Sequence, residues 1–436
     1  MAPPATPPPP PGPGLLQSPD APPPPPEAGG AAGLFTVAPT AEERACTVRQ
    51  CLVGIPESVF PMYEPTARFQ IPYTGGFSPR ARNWTVFAGE SLTYDSNIFA
   101  SDNNVQSDWI SNTSAGASYR QEGSTFWALA TASLTYSAFF DHTEESNLNV
   151  YGDFQFGWKG AAFYASIEDM VGYLQNPIVV RDNTFVIIDQ SLDSYWINTL
   201  KARAGYECAR YRAELSYEFD LFNAGNDAVV SAFNNTEQYV TLRGDYYVSD
   251  KTSVGLYGRA GFVPYTDPTQ DDYSTYDLGP TFSWRPLAKL GLMGSLGYAW
   301  LNSDGGPDRS TFVGNLDISY DPTSTISTFL GWERSYQPSL GADDQIVDLY
   351  RVRGTALFNQ CWTGNVSTGF QVGNTEGASL DGAKDYTLFF FDAMIHHPLG
   401  PNWAVDAGYQ FRKQTSQDNG IDFNQNRVTV GVTFAF

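Results

Sequence analysis

No run of ~18 apolar residues, the length a membrane helix needs, occurs anywhere in the chain. The greasiest stretch, "TLFFFDAMI" from Thr387, is too short and carries Asp392. A helical membrane protein is excluded. Histidine is scarce: His142 falls in a long loop, and His396 and His397 sit together at a short turn. No Ser-His-acid set shares one wall of the fold read below, so triad hydrolysis is excluded. His396 and His397 read as neighbouring surface residues rather than metal ligands, and no cofactor is implied. Cations are also few, 25 Lys and Arg against 47 Asp and Glu, a net charge of −22. Residues 1–81 hold six acids and four arginines, so −2 falls there and −20 on the remainder. A surface this acidic excludes nucleic acid as a partner, because phosphates bind a basic face. A secretory leader is not visible either: "MAPPATPPPPPGPG" has no basic start and no apolar centre. Taken alone that start reads as cytoplasmic. The rest of the pattern does not suit cytoplasm, and the expectation is a mature or trimmed chain.

What the chain has in quantity is glycine (40), tyrosine (25) and phenylalanine (29), a mixture that favours strands and tight turns. Proline is concentrated instead of spread: 20 of the 30 fall in residues 1–81. Residues 1–33, with "PPPPPGPG" and "APPPPPEAGG", read as a polyproline II linker too stiff and polar to build a core. Residues 34–81 read as a loop-like periplasmic segment. It contains "CTVRQC", in which Cys46 and Cys51 are close enough to bridge; a local disulfide in an oxidising compartment and two free thiols are both open.

From residue 82 to 436 the pattern changes and stays constant. Alternating apolar and polar segments recur every ten or so residues, roughly eighteen of them, an even number as single-chain bacterial barrels require. The connections alternate in length. "KG", "VSDK", "RPLAK" and "DPTS" are short; "IFASDNNVQSD", "NAGNDAVVSAFNN" and "VPYTDPTQDDYS" are long and mostly polar. Short turns on one side and long loops on the other is the layout of an outer-membrane up-and-down barrel. The tryptophans fall near the ends of the expected strands, where an interfacial ring has apolar and wet neighbours at once. The last segment, "VTVGVTFAF", alternates to the final Phe436. Its partner should be the first strand, "NWTVFAGESLTY", closing the barrel with Phe434 and Phe436 facing lipid. The fold class is therefore all-β: a closed antiparallel transmembrane barrel of about 18 strands, with both ends of the barrel on the periplasmic, short-turn side.

In "SLTYDSNIFASDNN", Tyr94, Asp95, Asn97, Ile98 and Phe99 resemble the Y-D-x-N-I-F stretch that opens barrels of the second of the outer-membrane β-barrel porin families, which usually has an acid where this chain has Ser96. The resemblance covers about residues 83–436. It implies an outer-membrane pore, with some members linked to exopolysaccharide or capsule export. A terminal strand ending in Phe also resembles the sorting signal of outer-membrane assembly.

Register then assigns the lumen. The apolar sides of four consecutive strands point outward, which leaves Lys201, Arg203, Arg212, Arg243 and Arg259 on one inner wall, with Arg351 and Arg353 forming a second basic patch. Two readings follow: a charged constriction or anion path, or a polar lumen neutralised by Glu214, Glu218, Asp220 and Asp245 on the same wall. The apolar loop 174–194 is the best candidate to fold inward. Two functions stand: a porin-like channel, export-linked or passive, or a structural barrel that docks other envelope components through its proline arm or acidic loops. Expected partners are outer-membrane lipid and lipopolysaccharide, with a periplasmic or cell-wall partner for the arm.

Overall fold

The computed structural model describes residues 83–102, 104–123, 125–175, 178–181, 184–187, 194–224, 234–266, 271–304, 308–337, 345–358, 362–375, 385–400, 402–416 and 422–436. The proline linker, the segment to residue 81 with Cys46 and Cys51, and Cys361 lie outside the described residues. The strands are β1 (Trp84–Asp95), β2 (Asp108–Glu122), β3 (Phe126–Phe139), β4 (Asn147–Lys159), β5 (Phe163–Gln175), β6 (Ile178–Arg181), β7 (Thr184–Ile187), β8 (Ser194–Glu207), β9 (Tyr211–Asn223) and β10 (Asn235–Ser249). They continue with β11 (Thr252–Val263), β12 (Tyr273–Leu287), β13 (Leu290–Ser303), β14 (Arg309–Thr323), β15 (Ile326–Gln337), β16 (Gln345–Leu357), β17 (Thr363–Thr375), β18 (Tyr386–Pro398), β19 (Trp403–Ser416) and β20 (Phe423–Ala435). Eighteen of them form one antiparallel sheet in which each pairs with the next, and β1 pairs with β20. β6 and β7 pair only with each other, so a short hairpin stands where a plain loop was expected.

The seam closes as the last residues foreshadow. Phe87 lies opposite Ala435, and the register runs to Asp95 opposite Arg427. Val86 N–H donates to the Phe436 carbonyl at 3.0 Å, and Phe436 N–H donates back at 2.9 Å. The ladder therefore has no free edge, which a bilayer would leave unsatisfied.

Period-two alternation partitions the side chains. On β20, Val428, Val430, Val432 and Phe436 are exposed, whereas Gln425, Arg427, Thr429 and Thr433 are buried on the inner face. The same division repeats around the barrel: Leu242, Leu256, Leu278, Leu296 and Phe312 are all more than half exposed. So much outward apolar surface cannot face water. It is bounded by two aromatic rims. At the short-turn end, Trp84–Tyr119, Phe163–Tyr206, Tyr211–Tyr246 and Trp403–Phe434 have ring centroids 4.7–5.3 Å apart. At the long-loop end, Tyr94–Trp109, Tyr173–Trp196 and Tyr298–Trp300 lie 4.9–5.2 Å apart. A closed sheet with an apolar belt between aromatic girdles is a transmembrane β-barrel. Two tryptophans depart from the expected rim. Trp127 alternates onto the inner face of β3, where its indole fills the space a side chain at Gly157 would need. Trp332 lies in the middle of β15, opposite Tyr350.

Between the rims, the charged side chains that point outward among the described residues include Glu90 and Asp169 and, toward the long-loop end, Arg334 and Asp348, which pair at 2.9 Å. Glu90 accepts hydrogen bonds from the Ser111 and Thr113 hydroxyls at 2.5 and 2.6 Å. Asp169 accepts one from the Asn198 amide at 2.7 Å. Each lies on an outward rung between the two aromatic rims, so the neighbouring strand supplies donors that lipid cannot. The belt sets the sign of three substitutions. Val432→Arg, level with Glu90 at mid-height, should cost about 2–4 kcal/mol, and Phe436→Arg at the rim about 1 or less. Glu90→Leu should stabilise the barrel. Urea unfolding in lipid vesicles measures all three; equal costs for Val432→Arg and Phe436→Arg would overturn the depth assignment.

Candidate functional site

The inner wall divides into two regions of different chemistry. From β1 to β4 it is mostly uncharged and polar, with Asp153 buried midway along β4 and the other charges nearer the strand ends. Ser91, Thr93, Asn112, Ser114, Thr131, Ser133, Thr135, Ser137 and Asn149 are all buried there. Their hydrogen bonds cross three strand boundaries: Asn112 Nδ2 reaches Ser91 and Thr93 at 3.4 Å, Ser137 Oγ donates to Asn112 at 2.8 Å, and Asn149 Nδ2 reaches Ser137 at 3.3 Å. Short hydroxyl and amide side chains alternate with outward alanines on β3, which is why this wall is smooth.

From β8 to β11 the wall is charged. Alternation places Lys201, Arg203, Arg212, Arg243 and Arg259 inward, in step with buried Ile197, Phe222, Tyr239 and Val263 on the same strands. The acids alternate onto the same face and meet the bases. Arg212 donates to Glu214 Oε2 at 2.6 Å, and Tyr164 of β5 joins them: its hydroxyl donates to Glu214 at 2.5 Å and accepts from Arg212 Nε at 2.9 Å. Arg243 forks onto both oxygens of Asp245 at 2.8 and 3.1 Å, and Thr281 donates to the same carboxylate at 3.0 Å. Lys201 meets Glu218 at 2.6 Å, with Arg259 and Arg203 close by. Asp220 instead accepts from Thr199 at 2.6 Å. The Arg259 guanidinium lies 3.7 Å from the centre of the Tyr239 ring, a cation–π contact. In the second patch, Arg351 and Arg353 flank the Phe329 ring at 5.3 and 5.2 Å, and Arg351 is 3.9 Å from Asp317. Arg212 and Arg353 are buried, whereas Lys201 is about a third exposed.

The partners of several inward groups carried no signal in the sequence. His396, expected at the surface, is buried on the inner face of β18, and its Nδ1 meets Asp406 at 2.7 Å. The strand continues two residues past it, which turns it inward, and His397 points outward, stacked on Trp362 with centroids 4.2 Å apart. Arg412 donates to Asp392 at 2.7 Å. At the seam, the wholly buried Asp95 carboxylate accepts from Arg427 Nε at 2.5 Å and Gln425 Nε2 at 3.0 Å. Alternation alone already places Asp406 and Arg412 inward; which residue each of these groups meets depends on cross-strand register, which a single chain does not print.

A buried pair and an exposed one should respond differently to loss of the acid. Glu214→Ala leaves the Arg212 cation buried without its carboxylate and should cost about 3–5 kcal/mol. Glu218→Ala leaves Lys201 with access to water and should cost about 1 kcal/mol or less. Denaturant unfolding of the two variants in the same detergent compares them directly; equal losses would mean the Arg212 side is as wet as the Lys201 side.

No protein-family model matches the chain, and no curated protein matches it. Among solved structures, the outer membrane protein OpdK from Pseudomonas aeruginosa is similar at 13% identity and a TM-score of 0.40, over 81% of this chain and 99% of that one. OccAB4 from Acinetobacter baumannii is similar at 13% identity and a TM-score of 0.43, again over 81% and 99%. The FrpB iron transporter from Neisseria meningitidis is similar at 10% identity and a TM-score of 0.41, over 81% of each chain.

Proposed function

We propose that this chain is an outer-membrane channel of the porin type. The observation that carries the reading is the partition of one closed 18-stranded sheet into an apolar outer belt and a polar, charged inner wall. A barrel of this strand number encloses room for an aqueous path, and a single-chain antiparallel barrel with a lipid-facing belt is a protein of a bacterial outer membrane. The function is transport rather than catalysis, with the inner wall acting as the selecting surface.

The finer reading concerns what passes. The hydroxyl and amide wall from β1 to β4 offers short donors and acceptors in series, the chemistry that hydroxyl-rich solutes use. The resemblance at Tyr94–Phe99 to export-linked porins points the same way, and we carry sugar transport as the finer proposal. A second reading keeps the barrel as a docking scaffold. It is favoured by apolar clusters on the inner wall near the long-loop end, such as Tyr239, Val263, Tyr273 and Leu301, which are buried and not wet.

Planar-bilayer conductance of the purified protein separates the two: stepwise currents support the channel, and a silent barrel supports the scaffold. In a conducting protein, replacing Arg203 and Arg259 by Gln removes two positive charges around Glu218. The reversal potential in a salt gradient should then move toward cation preference, most at low ionic strength, where screening reaches farther. An unchanged reversal potential would show that permeating ions do not pass this part of the wall.

A further inference from the structure

The Y-D-x-N-I-F stretch has a physical role that its likeness to a family does not explain. β1 ends at Asp95, and the chain turns there. Asp95 Oδ1 accepts the Asn97 N–H at 2.9 Å, a side-chain turn that reverses the backbone at once. Its other oxygen is held by Gln425 and Arg427 of β20. Asn97 is itself wholly buried and fully used. Its Nδ2 donates to the Ser101 carbonyl at 2.7 Å and the Asn424 carbonyl at 3.1 Å, and its Oδ1 accepts the Ser101 N–H at 3.2 Å. The turn so closed forces Ala100 to φ 49°, the one positive φ outside glycine among the described residues. An L-residue adopts that conformation at a cost of ~1–2 kcal/mol, and only where its surroundings over-determine it.

The turn carries the chain onto the inner wall. Ile98 is buried against Ile110 of β2 and Phe139 of β3, both of which alternate inward, and Ala100 is wholly buried. Phe99 sets its edge on the His142 ring, 6.0 Å between centroids at 89°. His142 is fixed in turn: its Nδ1 meets Asp108 Oδ2 at 2.9 Å, and Asp108 also accepts the backbone N–H groups of Phe140, Asp141 and His142. Residues 96–102 are thus clamped by β20 on one side and by the β3–β4 turn on the other.

We infer that residues 96–102 form a fixed strap across the inner wall at the long-loop end and set the size limit of what enters the channel. This rests on the channel reading. Asp95 and Asn97 hold the strap, Ile98 and Phe99 seat it, and its buried polar groups are hydrogen-bonded, so it is a rigid narrowing and not a swinging gate. Each position of the motif has a different partner to satisfy.

The test uses the full chain in planar bilayers. Asn97→Ala removes three hydrogen bonds from the strap and none from the barrel ladder. It should raise the single-channel step at least 1.5-fold, add current noise, and admit larger polyethylene glycols before the step recovers its polymer-free value. Ile98→Ala, which loosens only the apolar seat, should shift both in the same direction by less, and it serves if Asn97→Ala fails to fold. In a chain with its native cysteines replaced by serine, Ala100→Cys should resist a charged methanethiosulfonate reagent and become reactive when Asn97→Ala is added. A conducting wild type whose variants keep its step, noise and polymer cut-off would overturn the strap while leaving the channel standing. A wild type that passes no current overturns the channel reading and the strap's role with it.

Discussion

The absence of water around the strands is the constraint on which the rest depends. Inside a bilayer, every backbone N–H and C=O must find its partner within the protein. A sheet can meet that demand only by closing on itself, and here the demand falls on the contact between the first strand and the last. The seam is the one place in the ladder where pairing must be made over more than three hundred residues of chain, at the full entropic cost of the longest loop. It is also where the structure places a buried ion pair, Asp95 with Arg427, and the facing hydroxyls of Thr93 and Thr429 at 2.9 Å. Polar contacts of this kind add directional register to a joint that β-pairing alone would let slip, since a one-residue slip turns every side chain to the wrong solvent.

That same all-or-none alternation explains why the inner wall is so densely charged and yet internally balanced. A residue on the inner face cannot reach lipid, so charge is tolerated there. A charge that is also buried still needs compensation. The acids and bases of β8 to β11 meet within one strand or across one boundary, and Tyr164 extends one such pair to β5. The wall's effect on a passing ion is consequently local. It depends on which partner is wetter, not on a count of arginines, and the exposed Lys201 and buried Arg212 differ on that point although the sequence writes them alike.

The fold was legible because its signals are periodic and redundant. Alternation, loop-length asymmetry and rim aromatics each point to the same barrel, and the eighteen strands lie where the alternation puts them, most with ends shifted by one to three residues. Inward and outward assignments of Lys201 through Arg259 followed from parity alone. What could not be read is whatever depends on which residue of one strand lies opposite which of another. His396 looked like a turn residue because the alternation fades into "HHPLGP", and nothing local says that Asp406 waits across the strand. Glu90 interrupts an apolar outer face, and its partners Ser111 and Thr113 lie some twenty residues away.

The short motif after β1 shows the same limit from the other side. Its five residues are close together, so they were easy to see, but their partners are at residues 108–110, 139–142 and 424–427. Asp95 reads as the end of a strand, and Ile98 falls in the long connection that follows it. Only closure of the barrel brings β20 against β1 and gives Asp95 and Asn97 something to hold. Only the inward parity of Ile110 and Phe139 gives Ile98 a seat. The strap can therefore form last, after the seam, because half of its hydrogen bonds are to a strand that is not yet beside it. Closure of the sheet and narrowing of its mouth are in this way one event, made by the same carboxylate.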